Sequence, residues 1–155
     1  VTEAFEFMKS EKAKHLHVFT GPFLSADDFE HLKRLSGKEI RIVRFSADFL
    51  SYLSAADLSV SMAGYNTCMN IAAAGVPALV WPFPQNQEQR LRALRLAQLG
   101  VLRVLTDEEL VPRRLGTVMQ QGLDLQSRST ADIDLNGAEN TAAWLKKYLK
   151  APEER

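Results

Sequence analysis

The stretch Leu58-Ser59-Val60-Ser61-Met62-Ala63-Gly64-Tyr65-Asn66-Thr67 carries a short apolar segment directly into a glycine and polar residues able to start a helix. After Ala74 come Gly75 and Pro77, then a second apolar run, Ala78-Leu79-Val80-Trp81. Glycine favours the position just past a helix end, and proline lacks the amide that would continue the helix. The segment therefore reads as strand Leu58–Met62, helix Thr67–Ala74 and strand Ala78–Trp81. A parallel pair of strands needs such a crossover, whereas an antiparallel pair can turn in two residues.

The alternation continues outward in both directions. Strand candidates Leu16–Thr20 and Ile40–Phe45 lie upstream and Leu102–Leu105 lies downstream, each short, apolar and rich in branched residues. Helix candidates are Val1–Lys12, Asp27–Leu35, Phe49–Ala55, Gln87–Leu99, Glu108–Gly122 and Ala138–Leu149. Repeated β-α-β units bury both faces of a sheet, which predicts an α/β fold: a Rossmann-like three-layer sandwich around a mostly parallel sheet of about five strands. The polar stretch from Asp124 to Asn136 reads as a loop. In the last helix Trp144 and Tyr148 are four residues apart, beside Ala142, Leu145 and Leu149. That face is expected to pack across the domain or to meet a lobe outside this chain.

Composition narrows the class of protein. With 155 residues, 46% hydrophobic and 25% charged, the chain suits one compact domain. Lys plus Arg and Asp plus Glu each total 19, so zero net charge gives no overall attraction to nucleic acid. One cysteine, Cys68, cannot form an internal disulfide, and a cytoplasmic setting is expected. Ile71 to Phe83 is the longest apolar stretch, interrupted by glycine and proline, and is far short of the roughly 20 residues that cross a bilayer. The start at Val1, inside an expected helix, is read as the start of an excised fragment. His15, His17 and His31 lack metal-ligand spacing, so no metal site is expected.

Ligands of open parallel sheets bind beyond the carboxyl ends of the strands. The first such junction is Gly64-Tyr65-Asn66-Thr67, where a glycine permits close approach and first-turn N–H groups suit a phosphate. The same residues also fit an ordinary N-cap at Asn66 or Thr67. The second is Trp81-Pro82-Phe83-Pro84-Gln85, leading to Glu88, Gln89 and Arg92, whose spacing puts three polar heads on one helix side. They suit sugar hydroxyls, or alternatively form an exposed ion pair worth about 0.3–0.5 kcal/mol. Arg90, Arg92 and Arg95 read as a solvated face, and Cys68 as core packing.

In this order, the junctions resemble the C-terminal domain of glycosyltransferase family 28 and related GT-B enzymes. Ala56 to Thr67 is similar to the family's "A-D-x-x-[IV]-x-x-x-G-x-x-T" element, Ile71 to Pro82 to its "A-x-x-G-x-P-x-[LI]-x-x-P" continuation, and Glu88 to Ala93 to "[DE]-Q-x-x-[NR]-A". The resemblance runs from about Phe45 to Leu105. It implies the donor-binding half of an enzyme that transfers sugar from a nucleotide diphosphate sugar, uridine-linked, with no further cofactor. Gly64, Tyr65, Asn66 and Thr67 would hold the diphosphate, and Glu88, Gln89 and Arg92 the donor sugar. Backbone at Phe45, Ser46 and Phe49 would meet the base. Asn70 would face the ribose, where the family usually has Glu, and an amide is a weaker acceptor than a carboxylate.

The family's opening strand and glycine-rich loop do not precede Val1, and its catalytic base usually lies in an N-terminal lobe. The resemblance thus implies that lobe as a partner and an inactive isolated fragment. Attachment to the inner face of the membrane would fit relatives with lipid-linked acceptors, although nothing strongly amphipathic here requires it. Two other readings are nucleotide-sugar hydrolysis or epimerisation, and a non-catalytic binding or assembly module, to which Asn70 lends weight.

Overall fold

A computed structural model describes residues 1–9, 14–124 and 133–150. The chain runs through α1 (Thr2–Glu6), β1 (Leu16–Phe19), α2 (Ala26–Lys33), β2 (Ile40–Val43), α3 (Phe49–Ala55), β3 (Ser59–Met62) and α4 (Tyr65–Ala74). It continues through β4 (Ala78–Trp81), α5 (Gln87–Gln98), β5 (Arg103–Val104), a short 3-10 turn (Asp107–Leu110), α6 (Pro112–Gly122) and α7 (Gly137–Lys150). Among the described residues all strand pairings are parallel: β1 with β2, β3 with β4 and β4 with β5.

The expected sheet is divided. Hydrogen bonds join β1 to β2 and, separately, β3 to β4 to β5. Apolar period reports which faces of a strand are buried, but the neighbour across the ladder is set by distant chain. β4 shows why the second ladder is central. Ala78 and Val80 pack with Leu53, Cys68, Ile71, Ala93 and Leu96 from α3, α4 and α5. Leu79, on the opposite face, packs with Ala4, Leu115, Val118 and Met119 from α1 and α6. Helices therefore cover both faces, and a strand buried on both sides has no polar alternation.

On the second face, α1 and α6 approach closely at Gly116. A Cβ there would stand 2.6 Å from the Ala4 carbonyl oxygen, so only glycine allows the crossing. At the other end of the central crossover, Gly75 ends α4 in the left-handed region with φ 66°.

Several boundaries differ from those expected. α1 ends at Glu6, and the rest of the predicted Val1–Lys12 helix is partly outside the described residues. Lys14 Nζ donates to the carbonyls of Phe5 and Met8 beyond the helix end. The predicted helix Glu108–Gly122 is broken at Val111, which is extended with ψ 129°. Proline disfavours helical geometry in the residue before it and is well suited to begin a helix, as Pro112 does. Most of the predicted loop between Asp124 and Asn136 lies outside the described residues.

α7 departs from the expected packing across the domain. Trp144 is 58% exposed and Tyr148 66% exposed. Their rings pack on each other with centroids 4.5 Å apart. Among the described residues, no helix is long and apolar enough to cross a membrane.

Candidate functional site

Met62 is opposite Trp81 in parallel register, so β3 and β4 deliver the chain to the same sheet edge before turning into α4 and α5. At α4 the N-cap is Gly64, with φ −61° and ψ 145°, and no side chain caps the helix. The alternative of Asn66 or Thr67 as cap is not realised, because both already lie in the first turn. Cys68 N–H is bonded to Gly64 O at 2.9 Å. Tyr65, Asn66 and Thr67 precede it, and the helix supplies no acceptor for their amides. A Cβ on Gly64 would meet only Thr67 Oγ1, at 3.7 Å, so packing leaves open space at this start. Tyr65 and Asn66 are exposed; Thr67 and Asn70 are half-buried. Asn70 stands one turn beyond Asn66 and Thr67 on the same side of the helix.

α5 begins differently. Asn86 Oδ1 accepts from Gln89 N–H at 3.1 Å, a side-chain cap. Gln89 Oε1 in turn accepts from Phe83 N–H at 3.0 Å and pins the preceding loop. Its side-chain nitrogen has no hydrogen bond to protein among the described residues. Arg92 Nη1 donates to Ala63 O at 2.9 Å, and Nη2 pairs with Glu88 Oε1. The guanidinium also lies over the Tyr65 ring, 5.2 Å from its centroid. Glu88 is 79% exposed in its side chain and Arg92 only 14%, so this is more than a solvated ion pair. The structure thus brings the Gly64–Thr67 start and the Glu88, Gln89 and Arg92 side of α5 together. Arg90 and Arg95, by contrast, face solvent.

The three residues expected beside a base are less alike. Phe45 lies just beyond β2 and is 73% exposed. Ser46 Oγ accepts from Asp48 N–H at 3.1 Å. Phe49 is packed against the core and meets Phe19 edge-on at 5.1 Å. Only Phe45 presents its ring freely.

Cys68 is fully buried under the first turn of α4. Burial pushes its thiol up, while the nearby Arg92 charge opposes that shift, so the local chemistry disfavours a thiolate. One contact had no signal in the spacing of the sequence: Trp81 Nε1–H donates to Asp107 Oδ1 at 2.7 Å. This bond ties the end of β4 to the turn after β5. The Trp81 ring also meets Phe83 edge-on, with centroids 6.0 Å apart.

Comparison with known proteins identifies the family of the chain. Residues 1–147 match the model of the glycosyltransferase family 28 C-terminal domain. The chain is 29% identical over 116 residues to the UDP-N-acetylglucosamine--N-acetylmuramyl-(pentapeptide) pyrophosphoryl-undecaprenol N-acetylglucosamine transferase of Aquifex aeolicus, covering 72% of this chain and 34% of that protein. It is 35% identical over 115 residues to the NDP-glycosyltransferase YjiC of Bacillus subtilis, covering 70% of this chain and 29% of that protein. Among solved structures, Acinetobacter baumannii MurG superposes with a TM-score of 0.74 at 20% identity, covering 95% of this chain and 44% of that one. The chain therefore spans about a third of the length of these curated relatives.

Proposed function

The chain belongs to the glycosyltransferase family 28 C-terminal domain family, and from that premise we propose that it is the donor-binding half of an enzyme transferring sugar from a nucleotide diphosphate sugar. The observation that carries this reading is the uncapped start of α4, held beside Gln89 and Arg92 at the ends of two parallel strands. Gly64, Tyr65, Asn66 and Thr67 bind the diphosphate, whose charge suits free N–H groups and the positive helix end. Asn70 bonds a ribose hydroxyl. Phe45, with the backbone of Ser46 and Phe49, borders the base.

Glu88 and Gln89 form the sugar wall, braced from behind by Arg92, whose side chain is largely covered. The unengaged amide nitrogen of Gln89 and the exposed carboxylate of Glu88 provide a donor and an acceptor for hydroxyls. As the bond from the anomeric carbon to the diphosphate breaks, negative charge grows on the departing oxygen. A preorganised helix start stabilises that charge more in the transition state than in the ground state. The acceptor and its base belong to an N-terminal lobe of the full-length protein, for which the exposed Trp144 and Tyr148 face of α7 is the docking surface. The isolated domain is consequently inactive.

The preferred donor is uridine-linked, as in the name of the Aquifex relative. The protein works in the cytoplasm, with the inner membrane face as its site if the acceptor is lipid-linked. Calorimetry on the full-length protein tests the reading with UDP, other nucleoside diphosphates and UDP sugars. Binding of UDP sugar supports it; no binding of any nucleoside diphosphate contradicts it.

A further inference from the structure

Ala63 is the last residue before the glycine that opens α4, and it is fully buried. Its amide completes the strand ladder by donating to Trp81 O at 3.2 Å. Its carbonyl accepts from Arg92 at 2.9 Å. A buried carbonyl without a partner is costly, so the arginine performs a structural duty at this position. The same guanidinium covers the Tyr65 ring and pairs with Glu88. One planar cation therefore holds residues on both sides of Gly64 against α5.

We propose that Arg92 is a positioning residue that clamps Ala63 and Tyr65, and thereby aims the uncapped first turn of α4 at the donor diphosphate. The function assigned to the clamp rests on the donor-site reading above, whereas the clamp itself rests on the contacts alone. Arg92 is largely covered, and Glu88 takes up one edge of its charge. Its reach to the ligand is thus through the loop, not through a direct charge. Lysine cannot replace it, because an ammonium lacks the planar fork that serves a carbonyl, a carboxylate and a ring at once.

The test measures amide hydrogen exchange in the ligand-free full-length protein, followed by calorimetry with UDP and UDP-N-acetylglucosamine. The variants are Arg92→Lys, Arg92→Ala and Tyr65→Leu, and unchanged exchange in Ala78–Trp81 reports an intact fold. Loss of a charge-assisted hydrogen bond predicts about tenfold faster exchange of the Ala63 and Cys68 amides, which donate to Trp81 O and Gly64 O, in both Arg92 variants, without rescue by lysine. Tyr65→Leu removes one wall of the clamp and produces a smaller increase. Affinities for UDP and the UDP sugar should fall by the same factor.

Unchanged exchange at Ala63 and Cys68 would overturn the clamp. So would weakening of the UDP sugar alone, since that result makes Arg92 a direct sugar contact. If exchange rises as stated but the unaltered protein binds neither probe, the clamp stands and the donor-site reading falls.

Discussion

Helices α4 and α5 start at neighbouring strand ends, yet their first turns are completed differently. α5 closes on itself: Asn86 caps Gln89, and the Gln89 side chain reaches back to Phe83. α4 begins at a glycine with no side-chain cap, although polar residues follow directly. α2 is capped by Ser25, which accepts from Asp28 N–H, whereas α3 also starts without a side-chain cap. A side-chain cap is worth about 1 kcal/mol over alanine but only a few tenths over glycine, so Gly64 leaves the first amides open at little cost in stability. The contrast teaches that the same sheet edge holds one start finished by protein and one whose first amides are left open.

The largest effect should come from closing the open start. Gly64→Asp would place a capping carboxylate where Gly64 has room, raising stability by about a few tenths of a kcal/mol through capping. It should nevertheless weaken UDP binding by two orders of magnitude or more, the loss of about two charge-assisted hydrogen bonds. Thermal unfolding and calorimetry on one variant read both changes. A parallel loss of stability and affinity would erase the distinction between the two helix starts.

On the α5 side, Gln89→Ala should cost about tenfold in affinity for a UDP sugar, as expected for one lost hydrogen bond, and much less for UDP. Equal losses for both ligands would move Gln89 from the sugar wall to mere loop support. Asn86→Ala should destabilise by about 1 kcal/mol, seen as a lower denaturation midpoint, with little change in UDP affinity. Such a variant is the mirror image of Gly64→Asp. The smallest effect sharpens the open start further: Asn70→Glu should improve UDP affinity by less than about tenfold, because a carboxylate is the stronger acceptor for ribose hydroxyls. Competition binding against the unaltered protein would detect it.

Much of this comparison was legible from sequence. Gly75-Val76-Pro77 could only end α4, and the apolar runs on either side could only be a crossed-over strand pair, as found in β3 and β4. The nearness of Gly64–Thr67 to Arg92 followed from that pairing. Which residue capped α4 did not, because Asn66, Thr67 and Gly64 all suit an N-cap, and the choice depends on where β3 releases the chain. The split between β1–β2 and β3–β4–β5 was likewise hidden, since periodicity does not name a strand's neighbour. The exposure of Trp144 shows the same limit: a helical stripe identifies an apolar face without identifying what covers it.

The central claim, that the start of α4 is left open for a diphosphate, is tested most directly by an amide NMR titration with UDP. The account predicts saturable shifts at Tyr65, Asn66 and Thr67, with smaller ones at Gln87 to Gln89 and none of them in Gly64→Asp. Shifts confined to distant surface residues, or the same response after Gly64→Asp, would contradict it.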